Sequence, residues 1–388
     1  METFCALIRG DLAPAGNKIL LAKDPDPFAY QLAGYHSEWV DSGTSALALA
    51  LADAKAKAPH IKNPRVIIPG YCCPDLVAAA VYAGVKPLAV DIDSADASYN
   101  LNALKSALGS DASNSDIVAV IAVNFLGIKE RLADIRAMLV NTHTKLIEDN
   151  AQWLPASAEQ HDFSSDYILF SFGRGKPLSL LGGGVLFSKQ KIITTALMQK
   201  VSNNSLAEMQ QALKLQAFNM LLHPHLYCFL NRAPFLRLGE TLYHPLTTIS
   251  AMDSFRHRLF SANLNFHQSK NKNIEQAYDE ICTASNIQQL QSLTTLRRQQ
   301  LLRYPLLCSD ANSRNNLLRK LNIAGLGGSP LYQQSIVEIP GISELIDVYE
   351  NLNNAQQFAK RLLTLPTHEY VSIKHIQRIE NIFRSVAR

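Results

Sequence analysis

The chain has 388 residues, of which 47% are hydrophobic and 18% are charged, and its formal net charge is +4. The length favours two domains, or one large domain with a smaller appendage, and the composition favours a folded protein over a disordered one. No cluster of Lys and Arg is dense enough to predict nucleic-acid binding. No apolar run approaches the ~18 residues that predict a membrane span.

The cysteines are scattered and have neither the spacing nor the matched histidines of a zinc site. We therefore expect no metal, reduced thiols and a cytoplasmic protein. The first residues lack the basic and apolar pattern of a signal peptide. The six cysteines are Cys5, Cys72, Cys73, Cys228, Cys282 and Cys308.

Between about residues 40 and 190, helical and strand-like segments alternate. A helical "SALALALADAKAKA" is followed by the strand-like "RVIIPG", the helical "PDLVAAAVYAG" and the strand-like "KPLAVDID". The strand-like "DIVAVIAVNFLG", the helical "KERLADIRAML" and the strand-like "TKLIEDNAQ" come next, and "DYILFSFG" and "GGGVLFSK" complete the series. The pattern predicts an α/β fold, with a mostly parallel sheet covered by helices and ligands at the carboxyl ends of its strands.

After Lys191 the pattern changes. Residues 205–235 read as helical with a break at His223 and Pro224, and we interpret their apolar side as core or dimer interface rather than a membrane-binding face. From about residue 250, helical segments flank strand-like bursts, which is typical of a smaller α+β domain. We predict a large domain over residues 1–245 and a smaller one over residues 246–388.

One lysine stands between an apolar run and a glycine triplet in "DYILFSFGRGKPLSLLGGGVLF". A P-loop would need Ser or Thr after Lys176, but Pro177 follows, and the triplet leads into a strand rather than a helix, unlike a dinucleotide-binding turn. Lys176 is then either a solvated loop residue or a lysine past a strand end that can form a Schiff base. Glycines around it would give backbone clearance beside the lysine.

Two further segments have a structural and a functional interpretation. In "DSGTSALALAL", Asp41 or Ser42 could cap a helix, or the helix N-terminus could bind a phosphate. In "LIEDNAQ", Asp149 could be a loop carboxylate, or an acid held against a protonated ring nitrogen. A phosphate turn, an acid and a lysine, in that order, are what pyridoxal phosphate (PLP) needs.

These segments resemble the DegT/DnrJ/StrS family of fold-type-I PLP-dependent aminotransferases, most clearly between residues 42 and 187. The segments that carry the resemblance are "SGTSALALAL", "VIIPGYCCPDLVAAAVYAGVKPLAVDID", "LIEDNAQ", "FSFGRGKPLSLLGGGVL" and, near the end of the chain, "LLTLPTH".

The resemblance implies roles for individual residues. Lys176 would carry the cofactor and shuttle the proton, and Asp149 would pair with the ring nitrogen, so these two are the predicted catalytic residues. Cys73 stands where the family stacks an aromatic ring on the cofactor, and Tyr71 could serve instead. The other predicted cofactor-binding residues are Gly43, Thr44, Ser45 and Ser171 for the phosphate and Gln152 near the ring hydroxyl.

The resemblance also implies a function. We expect an aminotransferase that moves an amino group from an amino-acid donor, glutamate in the family, to a keto acceptor, a keto-sugar of the cell envelope. A homodimer is the expected assembly. Two alternatives remain open: a PLP-dependent lyase or dehydratase on the same fold, and a non-catalytic binding protein.

Overall fold

We describe the protein from a computed structural model, over residues 10–22, 30–109, 116–155, 163–199, 205–231, 239–269, 273–285, 287–294 and 300–386. Cys5 and residues 232–235 of the predicted helical segment lie outside these ranges. Within them, no helix is both long enough and apolar enough to cross a membrane.

An eight-stranded sheet in the order β1-β7-β6-β5-β4-β2-β3-β11 forms the centre of the fold. Its strands are β1 His36–Val40, β2 Arg65–Pro69, β3 Lys86–Val90, β4 Ile117–Val123, β5 Lys145–Asn150, β6 Tyr167–Ser171, β7 Gly184–Ser188 and β11 Asp347–Val348. Neighbouring strands from β6 to β11 pair in parallel, whereas β7 is antiparallel to both β1 and β6. The predicted mostly parallel sheet is confirmed.

Helices cover both faces of the sheet, because the apolar runs in the strands bury side chains on both sides. In β2, Ile68 packs with the helices on one face, whereas its neighbour Ile67 packs with Leu104 and Ile135 on the other. The helices of this part are α1 Gly43–Ala56, α2 Asp75–Ala83, α3 Leu101–Leu108 and α4 Leu132–Met138.

The second half of the chain is mainly helical around a two-stranded antiparallel sheet of β10 Arg303–Leu307 and β12 Leu362–Pro366. A second short pair, β8 Met198–Gln199 and β9 Ile249–Ser250, is parallel. The helices are α5 Ser205–Leu222, α6 Pro224–Asn231, α7 Ser254–Gln268, α8 Asn273–Ala284, α9 Ala311–Ile323, α10 Asn353–Arg361 and α11 Ile373–Arg384.

The predicted helix break at His223 and Pro224 is confirmed, since α5 ends at Leu222 and α6 begins at Pro224. Part of the apolar surface of α5 packs into the core through the buried Leu215, as the core interpretation predicts, whereas a row of other large apolar side chains is exposed. These are Leu206, Met209, Leu213 and Met220, each more than half exposed.

The domain division at residue 245 stays a prediction. Several contacts cross it, two of which involve the large sheet. Strand β11 adds to the large sheet beside β3, and α7 packs against β6 and β7 through a cluster that includes Phe255, Phe260, Phe170 and Phe187.

Candidate active site

A cavity that is partly open to solvent lies where β4, β5 and β6 end and α1 begins. This is the edge at which parallel sheets bind ligands. The predicted residues that line it are Gly43, Thr44, Cys73, Asp149, Gln152, Ser171 and Lys176. The other lining residues are Leu47, Cys72, Asp75, Leu76, Val123, Phe125, Ala151, Leu169 and Tyr332.

The N-terminus of α1 faces this cavity. Ser42 caps the helix, and its Oγ accepts a hydrogen bond of 3.0 Å from the N–H of Ser45. The prediction that Ser42 caps the helix is therefore correct. Capping by Ser42 does not exclude phosphate binding at the same helix N-terminus. The first N–H groups of a helix have no partner within it, and Gly43 and Thr44, at these first positions, line the cavity.

Ser45 lies apart from this group. It is buried, and its Oγ accepts a hydrogen bond of 2.9 Å from Ser42 Oγ. It is absent from the cavity lining. Ser171 instead stands next to the helix end, so close that a Cβ added to Gly43 would lie 2.6 Å from Ser171 Cβ.

A tight turn presents Lys176 to the cavity. The N–H of Lys176 donates a hydrogen bond of 3.3 Å to the carbonyl of Gly173, and Gly175 within the turn has a φ of 73°. A positive φ at this position of a turn favours glycine. Gly175 therefore allows the backbone conformation of the turn, and the turn directs the next residue, Lys176, toward the cavity.

The glycine triplet after the lysine has a different role from the expected clearance beside Lys176. A Cβ added to Gly184 would lie 2.7 Å from the carbonyl oxygen of Ser42, and the N–H of Gly183 donates to the carbonyl of Asp41. A Cβ on Gly182 would meet Arg256 rather than Lys176. The triplet therefore lets β7 pack closely against the backbone at the start of α1. The prediction that it gives backbone clearance beside Lys176 was wrong.

Asp149 lies at the end of β5 with only 4% of its surface exposed. One of its carboxylate oxygens accepts a hydrogen bond of 2.8 Å from the N–H of Ala151. Burial raises the pKa of Asp149, while that hydrogen bond and the charge of Lys176 oppose the rise. A buried carboxylate of this kind is stabilised by a nearby cation.

Gln152 is held by two hydrogen bonds. Its Oε1 accepts from the N–H of Leu126 at 2.9 Å, and its Nε2 donates to the hydroxyl of Tyr332 at 2.9 Å. Tyr332 lines the cavity from the second half of the chain, and no motif in the sequence pointed to it.

Cys73 and Tyr71 have different environments. Cys73 lines the cavity, and burial, helped by the charge of Asp75, raises the pKa of its thiol to about 12. Tyr71 is 1% exposed and packs edge-on against Phe125 and Phe358. Its hydroxyl donates to the carbonyl of Tyr332 at 2.9 Å, so Tyr71 supports the wall of the cavity from behind.

Within the described ranges, no group of three His, Cys, Asp or Glu side chains could hold a metal ion. The side chains of the cavity instead suit an organic cofactor that carries a phosphate. The helix end and Ser171 offer donors for an anion, Asp149 offers a carboxylate, and Lys176 offers an amine.

The sequence profile of the DegT/DnrJ/EryC1/StrS aminotransferase family matches residues 25–234 and 247–384. No curated protein sequence matches the chain. Solved structures that resemble it include a DegT DnrJ EryC1 StrS aminotransferase from Brucella abortus, with 18% identity, a TM-score of 0.63, and 90% of this chain and 85% of that chain covered.

Two further structures are similar. The putative sugar aminotransferase Spr1654 from Streptococcus pneumoniae in its PMP form has 18% identity, a TM-score of 0.66, and coverage of 90% and 87%. The E. coli GDP-4-keto-6-deoxy-D-mannose-3-dehydratase with bound hydrated PLP has 16% identity, a TM-score of 0.62, and coverage of 90% and 87%. At these identities the likeness shows that the fold is shared, while function has to be argued from the site.

Proposed function

Because the chain belongs to the DegT/DnrJ/EryC1/StrS aminotransferase family, we propose that it is a PLP-dependent aminotransferase. It would move an amino group from an amino-acid donor, glutamate in the first instance, to a keto-sugar acceptor. The observation that carries this proposal is that Lys176, Asp149 and the N-terminus of α1 line the same cavity.

Each group has a distinct task in this proposal. Gly43 and Thr44 at the start of α1, together with Ser171, would hold the phosphate of the cofactor. Asp149 would keep a proton on the ring nitrogen. When bound, PLP supplies an aldehyde and a ring that takes up the electrons of a carbanion.

Lys176 would hold the cofactor and then act as the base that takes up and returns the proton. Its position suits this role, because the turn around Gly175 sets it at the edge of the cavity that also contains Asp149. Gln152, fixed by Leu126 and Tyr332, would lie near the ring hydroxyl of the cofactor.

The buried Asp149 carboxylate supports the choice of cofactor. Burial raises its pKa, and the hydrogen bond from Ala151 and the charge of Lys176 oppose only part of that rise. A protonated ring nitrogen would supply a second cation and favour the ionised carboxylate further. We infer that the Asp149 carboxylate pairs with the protonated ring nitrogen of the bound cofactor.

A reduction experiment tests the proposal. The purified protein is incubated with PLP, its visible absorbance is recorded, and it is reduced with borohydride and mapped by mass spectrometry. We expect a pyridoxyl group on Lys176, and no such group in Lys176→Ala. Lys189→Ala, which removes a lysine outside the cavity, is the control and retains the label on Lys176. A wild-type protein without label on Lys176 contradicts the proposal.

The reaction type is tested separately, because the similar structures include a dehydratase as well as aminotransferases. With L-glutamate alone, an aminotransferase should convert its cofactor to pyridoxamine phosphate and release 2-oxoglutarate in equal amount. A dehydratase that also uses glutamate as an amino donor would give the same result. The second assay therefore measures the loss of oxygen from the sugar, which is the reaction of a dehydratase. A protein that only binds PLP should show neither change.

We also propose that the protein is a homodimer. The exposed apolar row on α5, which comprises Leu206, Met209, Leu213 and Met220, supports an interface on that helix. Sedimentation measures the mass of the assembly. We expect a dimer for the wild type and weaker association for Leu213→Glu, and a monomeric wild-type protein would contradict the proposal.

A further inference from the structure

A second cavity lies beside α9, and the described residues that line it include none of those that line the cavity of Lys176. Its walls are α9, the loop that follows α9, and the chain near Leu12. Arg314 carries the only charge among these described lining residues, and no carboxylate is found among them. The proposed chemistry does not use this cavity.

Arg314 is buried in the wall of this cavity, with 8% of its surface exposed. Its Nε donates a hydrogen bond of 2.8 Å to Oδ1 of Asn315. Its Nη1 lies 3.5 Å from the carbonyl oxygen of Ala359 and 3.4 Å from that of Leu362. Across the described part of the chain, its Nη2 has no hydrogen-bond partner and no carboxylate pairs with it. A guanidinium has five N–H donors, so the two on Nη2 are available to the cavity that Arg314 lines.

The charge of Arg314 lacks compensation in this position. Burial lowers the pKa of its guanidinium, but an arginine side chain still carries its proton at neutral pH. The groups whose charges act on it are the Cys308 thiol and the Tyr71 phenol. Burial raises the pKa of both, that of Cys308 to about 11, so neither supplies a negative charge at neutral pH. A buried charge without a partner is costly, and an anion bound in the cavity would remove this cost.

The loop after α9 adds two backbone donors to the cavity. Gly327 and Gly328 line it and are buried, and neither N–H has a hydrogen-bond partner in the described part of the chain. The N–H groups on either side, those of Leu326 and Ser329, both donate to backbone carbonyls. Buried N–H groups are nearly always paired. Gly327 has a φ of 65°, and successive N–H groups around a left-handed residue can form a concave anion site.

The arrangement of the donors selects the kind of anion. One donor group comes from a side chain of α9 and the other from the backbone of the following loop, so they belong to separate segments of the chain. Three exposed amide side chains at the cavity, Asn315, Asn322 and Gln333, can add further N–H groups. Donors on separate segments suit a tetrahedral phosphate, whose oxygens point in several directions. A planar carboxylate would instead match the Nε and Nη2 edge of the guanidinium, and here Nε is already bonded to Asn315.

We propose that this cavity binds the phosphoryl group of a small phosphate ester, between Nη2 of Arg314 and the N–H groups of Gly327 and Gly328. It is a second anion site, separate from the helix N-terminus assigned to the phosphate of the cofactor. The same loop continues to Gln333, which lines the second cavity, and to Tyr332 just before it, which lines the cavity of Lys176. A ligand in the second cavity is therefore connected to the candidate active site through one short loop.

A binding experiment tests the site without any turnover. The full-length protein is loaded with PLP and reduced with borohydride, so that the phosphate of the cofactor occupies the first site. Inorganic phosphate or acetate is then titrated into it in a calorimeter, at constant ionic strength. Binding of phosphate is expected, and acetate should bind at least about tenfold more weakly. Equal binding of the two anions, or no binding of phosphate, overturns the proposal, and this comparison needs no variant.

Variants then locate the site. In Arg314→Gln, phosphate affinity should fall by roughly 10- to 100-fold, the value of a charge-assisted contact. Arg319→Gln is the matched control, because Arg319 is an exposed arginine of the same helix that donates to Asn316 and does not line the cavity. Unchanged affinity in Arg314→Gln overturns the assignment.

A second pair of variants leaves the buried arginine in place. Gln333→Glu sets a carboxylate at the cavity, where it repels the phosphate or pairs with Arg314, so phosphate affinity should fall by roughly three- to tenfold. Gln334→Glu adds the same charge at the next residue, which is exposed and does not line the cavity, and should bind phosphate almost as the wild type does. Equal affinity in these two variants contradicts the assignment.

The half-reaction with L-glutamate distinguishes two sources of the phosphoryl group, and this step alone rests on the proposed function. The acceptor takes no part in that half-reaction. A rate that changes with phosphate in the wild type, but not in Arg314→Gln, indicates a separate effector that acts through Tyr332. A constant rate assigns the phosphoryl group to the acceptor. Both results support the site. Borohydride labelling of Lys176 in Arg314→Gln should match the wild type, and this separates loss of the second site from failure of the proposed cofactor chemistry.

Discussion

Gly43 and Ser171 are packed so closely that the contact predicts the effect of one added methyl group. A Cβ on Gly43 would lie 2.6 Å from Ser171 Cβ and 2.8 Å from Ser171 Oγ. Real Cβ atoms do not approach other carbon atoms so closely, so Ser171 would have to move. Since Ser171 ends β6 and lines the cavity, its movement would disturb the proposed phosphate site.

Two effects oppose each other in Gly43→Ala. Overpacking a tight site costs about 1–3 kcal/mol. Alanine improves on glycine in a helix by about 0.5–1 kcal/mol, and Gly43 is the first residue of α1. We expect the steric cost to prevail, with a net loss of about 1–2 kcal/mol in the free energy of unfolding.

The assay is urea unfolding of the cofactor-free protein in a double-mutant cycle. Ser171→Gly removes the Cβ and Oγ that the added methyl group would meet. The double variant should therefore be more stable than the sum of the single effects predicts, by about 1 kcal/mol or more. Gly173→Ala is the control, because its added Cβ would lie 3.6 Å from Ser171 Oγ, an ordinary contact. Strictly additive effects of the two changes would refute the steric argument.

Two further predictions use the pKa shifts of the cavity. Because burial raises the pKa of Asp149, its contribution to stability is present below the unfolded pKa of ~3.9 and is lost as the pH rises through the folded value. Cofactor-free Asp149→Asn should thus lose less stability than the wild type between about pH 4 and 8 in urea unfolding, and parallel curves would contradict this. With a pKa of about 12, Cys73 should be alkylated by iodoacetamide at a rate that rises about tenfold per pH unit from pH 8 to 10. A plateau near pH 9, measured by peptide mapping, would show an ordinary thiol.

The order of elements from β2 to β7 was predictable, because buried parallel strands require uninterrupted apolar runs such as "IVAVIAV" in β4. The short strand β1, "HSEWV", was not predicted. Val40 is the one buried residue of this strand, so the strand has no apolar run. Its pairing with β7 joins residues about 150 positions apart, which no local pattern encodes.

The candidate site shows the same division. Lys176, Asp149 and the turn before α1 could be found because each stands in a short segment whose spacing and punctuation suggest its chemistry. Tyr332 could not be found, since it reaches the cavity from a loop of the second half of the chain and its own segment has no distinguishing pattern.

By itself, the sequence determined that an alternating α/β chain would carry a lysine, an acid and a capped helix at the ends of its strands. The tertiary structure decided that Cys73 lines the cavity whereas Tyr71, two residues away, is buried behind it against Phe358. It also decided that Arg314 is buried in the wall of a second cavity. The reason is physical: a chemical group is local to the chain, but its burial and partners depend on segments that meet only in the folded protein.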